Sequence, residues 1–196
     1  MIDPNWFSSP IQSTLFTGSF YIWFAIELVN TLVVGRHRQG GRRRDRGSLW
    51  GVLILVYLAI VLIFLARRLG LGVLPGFFQW IGLALVWLGV LLREWSIISL
   101  GSGFTAVVEV NPNQALITSG PYRRVRHPAY TGGMLTLTGF GLAAGSWVGA
   151  ALALVVIFAG YSYRVHVEER AMLEAFGEQY RDYMRRSGRF LPHIMG

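Results

Sequence analysis

The sequence predicts an all-α integral membrane protein with about five transmembrane helices, its N-terminus outside, its C-terminus in the cytoplasm, and a C-terminal amphipathic helix. The first observation is composition: 53% of the 196 residues are hydrophobic and only 14% are charged, unlike an ordinary soluble domain. The second is five apolar segments of about 15 to 21 residues, against the roughly 20 that a spanning helix needs. The third is the placement of arginines between those segments. The length predicts one domain, residues 1–196.

The first three apolar segments occupy the N-terminal half of the chain. The first runs from about Leu15 to Gly35 and is interrupted by Glu27 and Asn30. The second runs from about Leu49 to Ala66 and is almost purely aliphatic. The third runs from about Gly76 to Leu92 and continues as REWSIISLG, which we expect to extend the helix into water.

The fourth and fifth apolar segments are predicted to form a helical hairpin. They run from about Tyr130 to Ala144 and from Trp147 to about Tyr163, with only the turn GSW joining them. The fourth is rich in glycine and carries a GxxxG spacing at Gly141 and Gly145. Because small residues let helix backbones approach closely in lipid, these two helices are expected to pack tightly together.

The arginines predict how the helices are oriented in the membrane. The net charge of +8 comes from 18 arginines and no lysine, and only Arg67 and Arg68 lie between the second and third segments. The other sixteen lie in the 36–46 loop, the 93–126 segment and the tail after the fifth segment. Because cytoplasmic loops are enriched in positive residues, these regions are predicted to be cytoplasmic. This placement argues for membrane topology rather than for a nucleic acid partner.

The tail after the fifth segment predicts an amphipathic helix over residues 168–186. Apolar residues recur there at roughly helical intervals, and charged residues fill the opposite face. Such a helix is expected to lie along the membrane surface. The apolar residues are Met172, Leu173, Phe176, Tyr180 and Tyr183.

Some kinds of chemistry are excluded or disfavoured. The chain has no cysteine, which excludes a disulfide, a thiolate nucleophile and a cysteine metal site. The histidines at positions 37, 127, 166 and 193 lack the spacing of a metal site, so no metal is predicted. GSGFTA at 101–106 fits the GxGxxA dinucleotide pattern, but an apolar helix precedes it where the pattern requires a strand.

RVHVEER, residues 164–170, is one candidate for chemistry. Arg164 and Glu168 are spaced i, i+4 and therefore share one helix face. The same spacing is common on ordinary helices, where the arginine reaches the headgroups and the glutamates are solvated. Against that interpretation, adjacent carboxylates at Glu168 and Glu169 beside lipid are costly unless partnered, and ionisable groups at membrane depth tend to be functional. Both interpretations stay open.

EVNPNQALITSGPYRRVRHPAY, residues 109–130, is the other candidate. Pro128 is predicted to start the fourth helix, whose first N–H groups and dipole favour an anion. The charge rule for cytoplasmic loops explains the arginines at 123, 124 and 126, but it does not explain His127 or Tyr130. A structural histidine at the helix start is the alternative to a binding role.

ALITSGPYRRVRHPAYTG, an apolar hairpin of about 35 residues, and RVHVEERAMLEAFGEQYRDYMRRSGRFLP together resemble the isoprenylcysteine carboxyl methyltransferase family. The resemblance covers about residues 100–192 and implies an integral membrane enzyme that uses S-adenosylmethionine. Separately, we expect the chain to be a prokaryotic member of the family. The first three apolar segments predict three transmembrane helices in residues 1–100, and these match the family only in being hydrophobic and correctly placed. Residues 101–196 then hold a cofactor-binding loop, the hairpin and the C-terminal helix. The active site is expected to face the cytoplasm.

The resemblance also implies roles for individual residues. The family motif RHPxY, which wraps the cofactor, falls on residues 126–130. Arg164 and Glu168 are implied to be catalytic: Glu168 contacts the cofactor, and Arg164 contacts the reacting end of the substrate. Glu169 is implied to bind substrate. The residues implied to bind cofactor are Glu109, Gln114, Ala115, Leu116, Ile117, Tyr122, His127, Pro128, Ala129, Tyr130 and Glu168.

The methyl acceptor stays open at this stage. Two departures from the family pattern bear on it: the acidic run beginning at Glu168 has only two residues, and Gln114 replaces a more usual histidine. A lipophilic or prenylated carboxylate is ionised near pH 7 and needs no general base. An amine or thiol would need one, and His127, His166 and Glu169 are candidates. A phospholipid N-methyltransferase, a membrane sterol reductase and a non-enzymatic scaffold are the alternative functions.

Overall fold

Six α-helices form the fold of residues 6–34, 42–43, 48–101, 109–110 and 116–193, which are the residues described by the structure, a computed structural model. The helices are α1 (Pro10–Val29), α2 (Ser48–Arg68), α3 (Phe77–Leu100), α4 (Pro128–Ala143), α5 (Trp147–Phe176) and α6 (Glu178–Arg186). The predicted all-α class is confirmed.

Short elements connect the helices. Asn30–Val34 continues α1 as a π-helical segment, and Gly120–Arg123 forms a 3-10 helix before α4. The two-residue strands β1 (Arg42–Arg43) and β2 (Glu109–Val110) pair antiparallel, which joins the connection after α1 to the one after α3. These two connections therefore lie at the same end of the helix bundle.

Four of the described helices are long and apolar enough to cross a membrane: Pro10–Leu32, Trp50–Arg68, Phe77–Leu100 and Trp147–Phe176. The remaining apolar helix, α4, has 16 residues and is about 24 Å long, shorter than the roughly 30 Å hydrocarbon core. Most of its residues are buried, and it packs against both α3 and α5. All five predicted apolar helices are present, and the fourth is a short interior helix.

Glycines bring α4 into close contact with two neighbours. A Cβ atom at Gly89 of α3 would lie 2.6 Å from the carbonyl oxygen of Gly132 on α4, so only glycine allows this approach. On the other side of α4, a Cβ atom at Gly141 would lie 2.5 Å from the backbone nitrogen of Ala150 on α5. The sequence predicted close packing within the α4–α5 hairpin, and the structure adds α3 as a second partner.

The turn between α4 and α5 lies at the end of the bundle where the described chain begins. Trp147 N donates to the carbonyl of Gly72 at 3.0 Å, which ties this turn to the connection between α2 and α3. Arg67 Nη2 and Gln79 Nε2 donate to the carbonyl of Trp6 at 3.0 and 2.8 Å. The start of α4 and the end of α5 consequently lie at the opposite end.

The predicted C-terminal amphipathic helix is shorter than the sequence suggested. α5 continues without interruption to Phe176. The helix ends at Gly177, whose φ of 52° lies in the left-handed region that favours glycine. The following helix, α6, buries Tyr180 and Tyr183 and exposes Arg181 and its other charged residues. The amphipathic helix is confirmed, and it begins at residue 178 instead of 168.

Candidate active site

The start of α4 is the centre of the candidate site. His127 directly precedes Pro128, the first residue of α4, and both are buried. Proline suits this position because its missing N–H would have no partner within the helix. The backbone amides of Tyr130 and Thr131 donate to the carbonyl of His127 at 3.1 and 3.2 Å. Since these amides already have an acceptor, an anion at this site depends more on side chains than on the helix N-terminus.

Arg164, Tyr130 and Glu168 form a hydrogen-bonded chain between α5 and α4. Arg164 Nε donates to the phenol oxygen of Tyr130 at 2.7 Å, and Tyr130 Oη donates to Glu168 Oε2 at 3.0 Å. Arg164 is only 5% exposed, whereas the Glu168 side chain is 33% exposed. A buried cation and an accessible carboxylate are thus connected through one phenol.

Glu169 belongs to a different cluster from Glu168. The residue is buried, and its carboxylate accepts hydrogen bonds from three side chains. Arg126 Nε lies 3.0 Å from Oε1, His127 Nε2 lies 3.3 Å from Oε1, and Arg189 Nη2 lies 2.7 Å from Oε2. Three donors around one buried carboxylate offset the unfavourable desolvation of its charge.

His127 lies between these two carboxylates. Its Nε2 faces Glu169, and its Nδ1 lies 3.9 Å from Glu168 Oε2. The imidazole stacks on the ring of Tyr130 with centroids 5.7 Å apart, and Tyr130 packs on Tyr161 at 4.7 Å. Within the described part of the chain, no group of three or more potential metal ligands is arranged to hold a metal ion.

Tyr122 links the segment before α4 to two other elements. Its hydroxyl donates to the carbonyl of Ser96 on α3 at 3.4 Å, and its own carbonyl accepts a hydrogen bond from Tyr183 Oη on α6 at 2.6 Å. Burial raises the pKa of Tyr122, and burial raises the pKa of Tyr183 to about 12. Both phenols are therefore neutral donors near pH 7.

The structure describes only part of the expected cofactor wall. Leu116 and Ile117 are half-buried in a segment without regular secondary structure. Gln114 and Ala115 lie outside the described residues, and Glu109 is described only as backbone in β2. The implied residues that the structure places at or near the start of α4 are Tyr122, His127, Pro128, Ala129, Tyr130, Arg164, Glu168 and Glu169.

An ion pair between α1 and α3 was not predictable from the sequence pattern. Arg93 Nε and Nη2 donate to Glu27 Oε1 and Oε2 at 2.5 and 2.8 Å. Arg93 Nη1 also donates to the carbonyl of Ala129 at 3.4 Å, so the pair connects α1 and α3 to the first turn of α4. Glu27 was visible as an interruption of the first apolar segment, and an ionisable group at that depth is itself a functional signal. Its partner depends on how α1 packs on α3.

Comparisons with known proteins point to one group of enzymes. A family profile described as phospholipid methyltransferase matches residues 77–179. Protein-S-isoprenylcysteine O-methyltransferase B of Arabidopsis thaliana is 29% identical over 150 residues, which cover 73% of this chain and 71% of the relative. The Mus musculus protein-S-isoprenylcysteine O-methyltransferase is 32% identical over 117 residues, covering 59% of this chain and 41% of the relative.

A solved structure shares the fold. The structure of a eukaryotic intramembrane Ras methyltransferase, an isoprenylcysteine carboxyl methyltransferase, superposes with a TM-score of 0.70 at 23% sequence identity. The match covers 95% of this chain and 69% of that one. The match to the relatives from Oryza sativa covers 60% of this chain and 63% of their length.

Proposed function

The chain belongs to the phospholipid methyltransferase family, and we propose that it transfers a methyl group from S-adenosylmethionine to the carboxylate of a lipophilic, prenylcysteine-like acceptor in the membrane. The resemblance to isoprenylcysteine carboxyl methyltransferases is confirmed by the curated relatives and by the fold. The chain is a membrane methyltransferase of this type. The cofactor, the acceptor and the roles of individual residues are our proposal.

The observation that carries the proposal is the chain of hydrogen bonds from Arg164 through Tyr130 to Glu168. A buried guanidinium is suited to hold an acceptor carboxylate, because its planar fork matches the two carboxylate oxygens. A partly exposed carboxylate is suited to bind an ammonium group. The connecting phenol fixes the distance between these two binding groups.

The side chains around His127 fit the amino acid end of S-adenosylmethionine. Glu168 would bind the ammonium group, and His127, doubly protonated when the cofactor is bound, would donate from Nδ1 to the carboxylate while Nε2 donates to Glu169. Leu116 and Ile117 would border the adenine, as the resemblance implies. When bound, the cofactor supplies a methyl group activated by a sulfonium.

The acceptor would reach Arg164 from the lipid. Because a carboxylate is already ionised near pH 7, the enzyme needs to position it and exclude water rather than remove a proton. The ring of Tyr130, which packs on Tyr161, lies beside Arg164 and helps to keep water from it. Low local polarity strengthens the attraction between the arginine and the carboxylate.

The active site is proposed to face the cytoplasm, which in a bacterium means the inner face of the inner membrane. The described arginines at the start of α4 and in α6 lie at the site end of the bundle. Arg67 and Arg68, in the last turn of α2, lie at the opposite end. Positive residues accumulate on the cytoplasmic side, which supports this orientation.

Calorimetry with S-adenosylhomocysteine on the detergent-purified chain tests the cofactor, and wild-type protein that does not bind it would overturn the proposal. Transfer of a radiolabelled methyl group then identifies the acceptor. We expect label on an S-prenylated N-acetylcysteine. Label on phosphatidylethanolamine vesicles instead would assign phospholipid N-methylation, the activity in the family description. Binding of NADPH without S-adenosylhomocysteine would indicate a reductase.

A further inference from the structure

Residues 187–190, here called the C-terminal strap, run alongside the residues that precede α4. Gly188 N donates to the carbonyl of Arg124 at 2.9 Å, and Arg126 N donates to the carbonyl of Gly188 at 2.8 Å. His127 N donates to the carbonyl of Arg189 at 3.1 Å. The strap therefore fixes the backbone of His127 in the manner of a short parallel strand.

The side chains reinforce this backbone contact. Arg126 Nη1 donates to the carbonyl of Met184 at 3.1 Å and also to that of Ser187. Thr131 Oγ1 donates to the carbonyl of Phe190 at 2.7 Å. The beginning of α4 is consequently held by the strap on both sides of His127.

Glu169 joins the strap to α5. Both of its oxygens are engaged: Oε1 by Arg126 and His127, and Oε2 by Arg189. A ligand hydroxyl or ammonium group approaching Glu169 would have to displace one of these donors from a residue that is 4% exposed, and a ligand carboxylate would be repelled. This arrangement suits a residue that orients its neighbours better than one that contacts an acceptor.

The consequence for His127 is a fixed ring. Because Nε2 faces Glu169, Nδ1 is the nitrogen turned toward Glu168. The ring also lies against Tyr130 on one side and near Phe190 of the strap, with centroids 6.4 Å apart for the latter pair. Hydrogen bonds to the far nitrogen of a histidine determine which nitrogen is presented to a ligand.

We propose that Glu169 and Arg189 are positioning residues for the cofactor: Arg189 of the strap holds the Glu169 carboxylate, and Glu169 holds His127 with Nδ1 directed toward Glu168. This inference rests on the proposed function, because it assumes that His127 and Glu168 bind the amino acid end of S-adenosylmethionine. It assigns Glu169 to the cofactor site in place of the substrate contact that the resemblance implied. It also gives the C-terminal strap a role in cofactor binding.

The test measures the Kd for S-adenosylhomocysteine by calorimetry on detergent-purified variants of the full chain. Glu169→Gln keeps the shape of the side chain and removes its charge, and we expect the Kd to rise about tenfold or more, because a hydrogen bond to a charged group is lost. Arg189→Gln is expected to raise the Kd about threefold to tenfold, since this arginine is partly exposed. Arg189→Lys keeps the charge and should stay within about threefold of wild type.

Arg185→Gln is the matched control, because Arg185 is an exposed arginine that pairs with Asp182 within α6. Its Kd should equal that of wild type. All measurements are made at a temperature at which each variant keeps the circular dichroism spectrum of the wild type, so that lost stability alone does not change the Kd.

A wild-type Kd in both Glu169→Gln and Arg189→Gln would overturn the inference. Once the methyl acceptor has been identified, KM values add a second readout. We expect the KM for the cofactor to rise and the KM for the acceptor to stay constant. A rise only in the acceptor KM would show that Glu169 contacts the acceptor, and would also overturn it. Wild-type protein that binds no S-adenosylhomocysteine is a separate result, which overturns the proposed function and the inference with it.

Discussion

Arg164 donates a hydrogen bond from Nε to the phenol oxygen of Tyr130 at 2.7 Å, across the interface between α5 and α4. The same phenol donates to Glu168, one helical turn beyond Arg164. The two residues that the i, i+4 spacing placed on one face are therefore coupled through a third residue from another helix. Removing the hydroxyl of Tyr130 should therefore affect both Arg164 and Glu168 without removing the charge of either.

Replacing Tyr130 by phenylalanine should lower activity without unfolding the protein. The ring would keep its packing on Tyr161, whereas Arg164 and Glu168 would each lose a hydrogen bond. We expect about a tenfold fall in kcat/KM for methyl transfer, since hydrogen bonds to charged groups contribute about 1.5–3 kcal/mol and water replaces part of this. Tyr163→Phe is the control, because Tyr163 is 57% exposed on the same helix as Arg164. Equal activity of the two variants would contradict the coupling.

Arg164→Ala should separate acceptor chemistry from cofactor binding. If Arg164 holds the acceptor carboxylate, its loss should reduce turnover by about a hundredfold or more and leave the Kd for S-adenosylhomocysteine within about threefold of wild type. Arg164→Lys should recover little activity, because an ammonium group lacks the planar fork and the fixed Nε donor. Calorimetry and a radiolabel assay on the same preparations supply both numbers. Loss of cofactor binding in Arg164→Ala would instead assign the arginine to the cofactor.

The helices could be predicted from the sequence because few backbone conformations are stable in a membrane. An apolar run of about 20 residues in lipid must satisfy its amides internally, so length and hydropathy are enough to identify it. Length shows that α4 is short, but the same reasoning does not reveal that it is interior, because its glycines pair with Gly89 on α3 as well as with Ala150 on α5. Those contacts depend on the order of helices around the bundle.

The site was predictable only in part. The spacing of Arg164 and Glu168 follows from helix geometry. Tyr130 and His127 stood out because the charge rule does not explain them, and a family resemblance implied their role in cofactor binding. Spacing placed Glu168 on the helix face of Arg164, and because a helix turns adjacent residues by about 100°, it also directs Glu169 away from that face. The partners of Glu169 lie 20 or more residues away in the sequence, so no local sequence pattern predicts them.

The Glu27–Arg93 ion pair should stabilise the protein through α1. Glu27→Gln would leave Arg93 with a weaker partner in a site where the two side chains are 25% and 16% exposed. Removing one partner of a fully buried pair costs about 3–5 kcal/mol, and partial exposure should reduce this to about 1–3 kcal/mol, seen as a lower Tm in detergent. The double variant Glu27→Gln/Arg93→Gln should be less destabilised than the sum of the single variants. Glu178→Gln, on the exposed face of α6, is the control and should leave the Tm unchanged.

Cysteine labelling should show which end of the bundle faces the cytoplasm. The chain has no cysteine, so single-cysteine variants need no background substitutions. Arg181→Cys lies on exposed α6 at the site end, and Leu71→Cys lies in the exposed connection between α2 and α3 at the opposite end. If the positive-inside distribution sets the orientation, a membrane-impermeant maleimide should label Leu71→Cys in intact cells and reach Arg181→Cys only after permeabilisation. Because both positions are solvent-exposed in the fold, a difference between them reports sidedness and not burial. The reverse pattern would place the Arg164–Glu168 site on the outer face, where cytoplasmic S-adenosylmethionine could not reach it, and would contradict the proposed cofactor as well as the orientation.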